Sequence, residues 1–164
     1  SAANLANCMA EIVRGAPELP FYYYHIPAIT SVGLDLVELI RIARERVPTF
    51  AGIKYTAPTV HEYMACVEAA GDDLDILWGT DEMLTSGLAA GARGAVGSTY
   101  NFAPALYRRI IAAFEGGVVQ RRPAIRGRQA SAFFEQKSRG RDLPRSVNQK
   151  PPWASNTMSF GPRR

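Results

Sequence analysis

Strand-like and helix-like periods alternate along the first 115 residues, with a single helix between successive strands, and that order leaves few folds open. Residues 20–26 (PFYYYHI) are mostly aromatic, are bounded by Pro20 and Pro27, and read as a strand. Residues 50–55 (FAGIKY), 74–78 (LDILW) and 94–98 (GAVGS) are the next three strand candidates. Between them, residues 34–46 place Leu36, Leu39, Ile40 and Ala43 on one face at helical spacing. Residues 58–70 carry Pro58 in the first helical turn, and 81–91 open on Asp81 and Glu82. Further helices are expected at 3–14 and 103–115. Parallel strands need a crossover, and a helix is the usual one, so four such units imply right-handed βαβ connections and a parallel sheet.

Parallel α/β sheets place their working residues at the carboxyl ends of the strands. Those ends collect Tyr24-His25, Lys54-Tyr55-Thr56, Gly79-Thr80-Asp81-Glu82 and Ser98-Thr99-Tyr100-Asn101, polar groups following apolar strand bodies. Convergence of polar residues at all four ends is the sequence's main sign of a site.

Lys54 stands out because no other lysine precedes Lys137. A lysine at a strand end ordinarily snorkels its ammonium into water. In an apolar pocket the same amine loses protons more readily and attacks carbonyls as a Schiff-base nucleophile. Strand alternation sends Tyr22 and Tyr24 to one side and Tyr23 to the other, so Tyr24 shares a face with Lys54 if the registers match. Asp81 and Glu82 suit a helix N-terminus or a grip on ligand hydroxyls. Gly97-Ser98-Thr99 matches no phosphate-binding fingerprint. His25 and His61 have no metal-ligand spacing and read as structural or surface residues.

Charge divides the chain in two. Residues 1–117 carry eight Lys/Arg against thirteen Asp/Glu, a balance of −5, whereas residues 118–164 carry eleven against two, a balance of +9. The sequence pI of about 9.3 therefore comes from the tail, and neither RNA-stacking nor helix-turn-helix signatures accompany it, so nucleic acid is not the expected partner. The tail is rich in Arg, Pro, Ser, Gln and Asn and is expected to be loosely ordered. No apolar run reaches the roughly 18 residues of a membrane span, and no secretory pattern opens the chain, so a cytoplasmic location away from membranes is expected. Cys8 and Cys66 accordingly read as reduced, buried thiols.

Four runs, "PFYYYHIPAIT", "GIKYT", "WGTDE" and "GARGAVGSTYN", together resemble the N-acetylneuraminate lyases (sialic acid aldolases). These belong to the pyruvate-dependent class I aldolases, alongside dihydrodipicolinate synthase. The resemblance extends from about residue 5 to residue 117, with the motifs in family order. It implies a (β/α)8 TIM barrel of which residues 1–117 supply strands 5 to 8, followed by a divergent basic tail at 118–164. The Gly-rich Ser/Thr turn of the first half, which binds the pyruvate carboxylate in the family, has no counterpart in this sequence, so the chain is expected to be a fragment of the full enzyme.

Carried over by motif, the resemblance implies that Lys54 forms a Schiff base with the keto carbon of pyruvate and that Tyr24 transfers protons. Thr56, Gly79, Asp81, Glu82 and Ser98 would hold the sugar-derived part of the substrate. No metal and no separate cofactor are implied; the ligands are sialic acid, pyruvate and N-acetylmannosamine, and the assembly is a homotetramer. Dihydrodipicolinate synthases carry an arginine two residues after the proline of the Tyr-motif, to bind a second carboxylate; Ile29 occupies that position here. The lyase is thus the expected activity. The alternatives are a catalytically inactive half-barrel, serving as a pseudoenzyme or interaction module, and another pyruvate aldolase.

Overall fold

The computed structural model describes residues 1–117 and 157–159. The alternation read from the sequence is present: α1 (Ala2–Val13), β1 (Phe21–His25), α2 (Pro27–Thr30), α3 (Leu36–Arg46), β2 (Phe50–Tyr55), α4 (Val60–Ala70), β3 (Asp75–Trp78), α5 (Leu84–Ala89), β4 (Gly94–Val96) and α6 (Pro104–Glu115). Strands β1 to β4 pair in parallel in chain order, forming a sheet that does not close on itself. Among the described residues no helix is long and apolar enough to cross a membrane.

Local chemistry accounts for several boundaries. The Asp35 carboxylate accepts the Glu38 amide at 3.0 Å and starts α3 two residues later than the periodicity indicates. Leu36, Leu39, Ile40 and Ala43, expected on one face, are all buried. α2 was not expected; Pro27 opens it, and Ser31 ends it in the left-handed conformation at φ 55°. The helix expected over 81–91 divides into a 3₁₀ turn at Asp81–Met83 followed by α5.

The two faces of the sheet differ. His25, Ile53, Tyr55, Ile76 and Trp78 are buried on the helix-covered side. Tyr63 of α4 packs edge-on to Trp78, centroids 4.9 Å apart at 87°, and its hydroxyl donates to the Ile76 carbonyl at 2.7 Å. Such an aromatic pair adds about 0.5–1.5 kcal/mol beyond its buried area. Tyr22, Tyr24, Lys54 and Leu77 occupy the opposite face and are exposed or half-buried. Gly52 lets β2 and β3 come together: its φ is +152°, and a Cβ there would lie 1.9 Å from the Asp75 carbonyl oxygen.

One expectation needs correction. Cys66 is buried, but Cys8 is exposed, because α1 buries Ala2, Ala6, Met9 and Val13 and turns Cys8 off that stripe. The tail expectation falls largely outside the described residues. Within it, however, β5 (Thr157–Ser159) pairs antiparallel with β4, with Ala95 opposite Met158. A three-residue strand is too short to show a period, so the sequence gives no sign of it. β5 also occupies the edge of β4 that a closed barrel would pair with another parallel strand.

Candidate active site

Parallel pairing brings the four carboxyl ends to one rim. Tyr24 is the register partner of Lys54, which is in turn that of Leu77, so all three side chains leave the same face. The Lys54 Nζ lies 4.0 Å from the centroid of the Tyr24 ring, over its π-face. Tyr24 is 45% exposed and Lys54 half-buried, so the pair is open to solvent and to a ligand. Contact of a cation with an exposed ring is worth about 0.5–1 kcal/mol. Among the described residues Lys54 forms no ion pair.

The neighbouring strand ends form the next part of the rim. Gly79 donates its amide to the Tyr55 carbonyl at 2.7 Å, and a Cβ on Gly79 would fall 2.0 Å from Thr56 Oγ1. Gly79 is therefore a glycine of space: β3 exits directly against Thr56. The Thr56 hydroxyl is buried and has no hydrogen-bond partner among the described residues, a donor and acceptor held in reserve at the rim. Thr80 Oγ1 donates to the Ala57 carbonyl at 3.4 Å, and Trp78 Nε1 to the Thr80 carbonyl at 2.6 Å, further fixing the turn after β3.

Asp81 and Glu82 differ in burial. Glu82 is exposed, while Asp81 is only 7% exposed. Asp81 Oδ2 accepts the Thr99 amide at 2.7 Å and the Thr99 hydroxyl at 2.5 Å. Burial pushes the Asp81 carboxyl up, but hydrogen bonds from the Thr99 hydroxyl and amide, with further ones involving the Glu82 side chain and Asp81's own amide, outweigh it and hold it below the usual carboxylate range. Ser98, beside Thr99, is exposed. The structure thus joins Tyr24 to Lys54, Thr56 to Gly79, and Asp81 to the segment bearing Ser98. Glu82 and Ser98 are exposed at the surface as candidate ligand groups, and one oxygen of Asp81 is engaged internally.

Thr99 was within the strand-end quartet but not singled out, since a sequence cannot say which of two adjacent hydroxyl residues turns inward. Behind the rim, the His25 ring stacks on Tyr55 at 5.5 Å, and the Tyr55 hydroxyl lies 2.5 Å from Glu62 Oε2. Burial lowers the His25 pKa, partly opposed by Glu62. His61 is exposed on α4.

The fold is thus an open, four-stranded parallel α/β sheet with a lysine on a tyrosine face at its carboxyl rim. The chain belongs to the dihydrodipicolinate synthetase family, whose model matches residues 1–137. It is 46% identical over 112 residues to the N-acetylneuraminate lyase of Xenopus tropicalis, covering 68% of this chain and 36% of that one. It is 42% identical over 113 residues to the enzyme of the same name from Sus scrofa, covering 68% and 35%. Among solved structures it resembles the N-acetylneuraminate lyase of Proteus mirabilis, with a TM-score of 0.70 at 34% identity over 73% of this chain and 40% of that one. The sialic acid aldolase of Aliivibrio salmonicida gives a TM-score of 0.69, also at 34% identity, over 83% and 41%. The chain therefore spans little more than a third of the length of these curated relatives.

Proposed function

We propose that the chain supplies strands 5 to 8 of a (β/α)8 barrel whose activity is the cleavage of N-acetylneuraminate to pyruvate and N-acetylmannosamine. The observation that carries this reading is the Lys54 amine seated over the Tyr24 ring at the carboxyl rim. In this mechanism the neutral Lys54 amine adds to the keto carbon of the open-chain sugar acid and water leaves, giving a protonated imine. The Tyr24 hydroxyl relays the proton of the C4 hydroxyl to the substrate carboxylate, accepting it while passing on its own, as the C3–C4 bond breaks. The bonding pair flows into the iminium nitrogen, leaving an enamine on Lys54 and an aldehyde, N-acetylmannosamine. Protonation of the enamine carbon and hydrolysis return pyruvate and the free amine.

Thr56, Gly79, Asp81, Glu82 and Ser98 hold the hydroxylated portion. A site built to pair those hydroxyls loses about 1–3 kcal/mol for each group left unpaired, which selects for a polyol. Ile29, 77% exposed where dihydrodipicolinate synthases carry arginine, favours the lyase over that relative. The family's homotetramer, a cytoplasmic location and turnover without metal belong to the same reading.

A second reading, an inactive half-barrel, draws on β5, which fills the edge that barrel closure requires. The deciding experiment joins residues 1–117 to the amino-terminal half of the Xenopus tropicalis enzyme and measures pyruvate released from N-acetylneuraminate. Release that disappears in Lys54→Ala and Lys54→Arg supports the lyase, because guanidinium stays protonated and is no nucleophile. A folded chimaera that releases none contradicts it.

A further inference from the structure

The hydrogen bonds around Asp81 link two segments that the sheet alone does not hold together. Thr99 gives its amide and its hydroxyl to the same oxygen, Asp81 Oδ2, at 2.7 and 2.5 Å. The Thr99 and Tyr107 hydroxyls lie 2.7 Å apart. A threonine hydroxyl has one proton and here spends it on the carboxylate, so Tyr107 donates in that contact. Asp81, Thr99 and Tyr107 are all buried. Tyr100, 4% exposed, packs edge-on to Tyr107 with centroids 4.6 Å apart, walling the cluster.

Gly97 shows how closely the segments meet. Its backbone is extended, φ −155° and ψ 156°, a conformation open to any residue, so no torsional demand calls for glycine. Space does: a Cβ there would lie 2.6 Å from Asp81 Cβ, 2.7 Å from its Cγ and 2.8 Å from its Oδ2. The carboxylate rests directly on the chain leaving β4. Each buried member of the cluster also has an exposed candidate ligand as its chain neighbour: Asp81 precedes Glu82, and Thr99 follows Ser98.

We propose that Thr99 and Tyr107 are positioning residues for the sugar end of the site: acting through Asp81, they fasten residues 79–83 to residues 97–101, so that Gly79, Glu82 and Ser98 form one rim. The identity of the ligand rests on the lyase reading. The fastening does not. A bond to a charged acceptor is stronger than a neutral one, and two of them on one oxygen fix the peptide plane between Ser98 and Thr99.

The test uses the 164-residue chain with Thr99→Val, Thr99→Ser and Tyr107→Phe. Amide exchange is followed in both segments, and N-acetylmannosamine is titrated while the Gly79 and Ser98 amide resonances are observed. Thr99→Val is expected to speed exchange in both segments by about tenfold and to weaken N-acetylmannosamine binding by about tenfold, the scale of one hydrogen bond to a charged acceptor. Thr99→Ser restores both, and Tyr107→Phe shifts both in the same direction by a smaller factor. Exchange that quickens only at 97–101, or a Thr99→Val chain that binds N-acetylmannosamine as the parent does, overturns the proposal. If the parent chain gives no response to N-acetylmannosamine, two-segment exchange alone decides the fastening, and the chimaera described above decides the lyase reading.

Discussion

Gly79→Ala separates a glycine needed by the protein from one needed by a ligand. The added Cβ falls 2.0 Å from Thr56 Oγ1, 3.0 Å from Thr56 Cβ and 2.8 Å from the Tyr55 carbonyl oxygen. The hydroxyl can swing away by rotation about χ1, at about 0.5–1.5 kcal/mol if it leaves its rotamer. The carbonyl cannot, because it is strand backbone and accepts the Gly79 amide at 2.7 Å. Overpacking of this kind costs about 1–3 kcal/mol, offset in part by the 0.4–1 kcal/mol or so that alanine gains through the unfolded chain. The expected net loss is about 1–2 kcal/mol, read from urea unfolding by far-UV circular dichroism. Thr56→Ala alone should cost less than about 1 kcal/mol, since its buried hydroxyl has no partner to lose among the described residues. The double variant removes the 2.0 Å clash but keeps the carbonyl contact. Its loss should therefore fall short of the sum of the singles by roughly 1 kcal/mol. A Gly79→Ala chain as stable as the parent, or strict additivity in the double variant, would refute the packing described at this rim.

Asp81→Asn should destabilise the chain at pH 7 by about 1–3 kcal/mol, since a buried charged acceptor is lost. The Asp81 pKa is lowered in the folded state from 3.8, so its contribution is complete above that value and is lost as pH falls through the folded value. The stability gap between parent and Asp81→Asn should thus narrow below pH 3.8; a gap constant down to acid unfolding would contradict the bonding at Thr99. Thr157→Pro removes the backbone N–H of the residue paired with Val96 and should speed amide exchange across Gly94–Val96 without altering exchange in β2. Unchanged exchange there would mean that β5 does not protect that edge.

Much of this organisation was legible in the sequence because it depends on period. Helix spacing places Leu36, Leu39, Ile40 and Ala43 inward, and the single helices between strands require parallel pairing, which in turn sets Tyr24 beside Lys54. What stayed hidden depends on tertiary partners. Asp81 and Glu82 are adjacent and chemically alike, yet Thr99 takes one inward and leaves the other in solvent. Ser98 and Thr99 divide in the same way. Glycines 79 and 97 carry no positive φ and look like ordinary loop residues until the atoms opposite them are known. Cys8 and β5 escaped for related reasons: one lies a residue off a helix stripe, and the other is three residues long and pairs far from its place in the sequence.

Lys54 is the residue proposed to react with pyruvate. The chain has three lysines, Lys54, Lys137 and Lys150, which act as internal controls for one another. Incubation of the chain with pyruvate and borohydride, followed by peptide mass mapping, measures how the reduced adduct divides among them. The amine seated over Tyr24 is expected to take the adduct in preference to the other two, and Lys54→Ala to abolish that preferential adduct. Tyr24→Phe should keep the adduct, because the ring face remains and only the hydroxyl proposed to transfer protons is lost. Equal labelling of all three lysines, or labelling centred on Lys137 or Lys150, would contradict the assignment of Lys54 as the Schiff-base lysine.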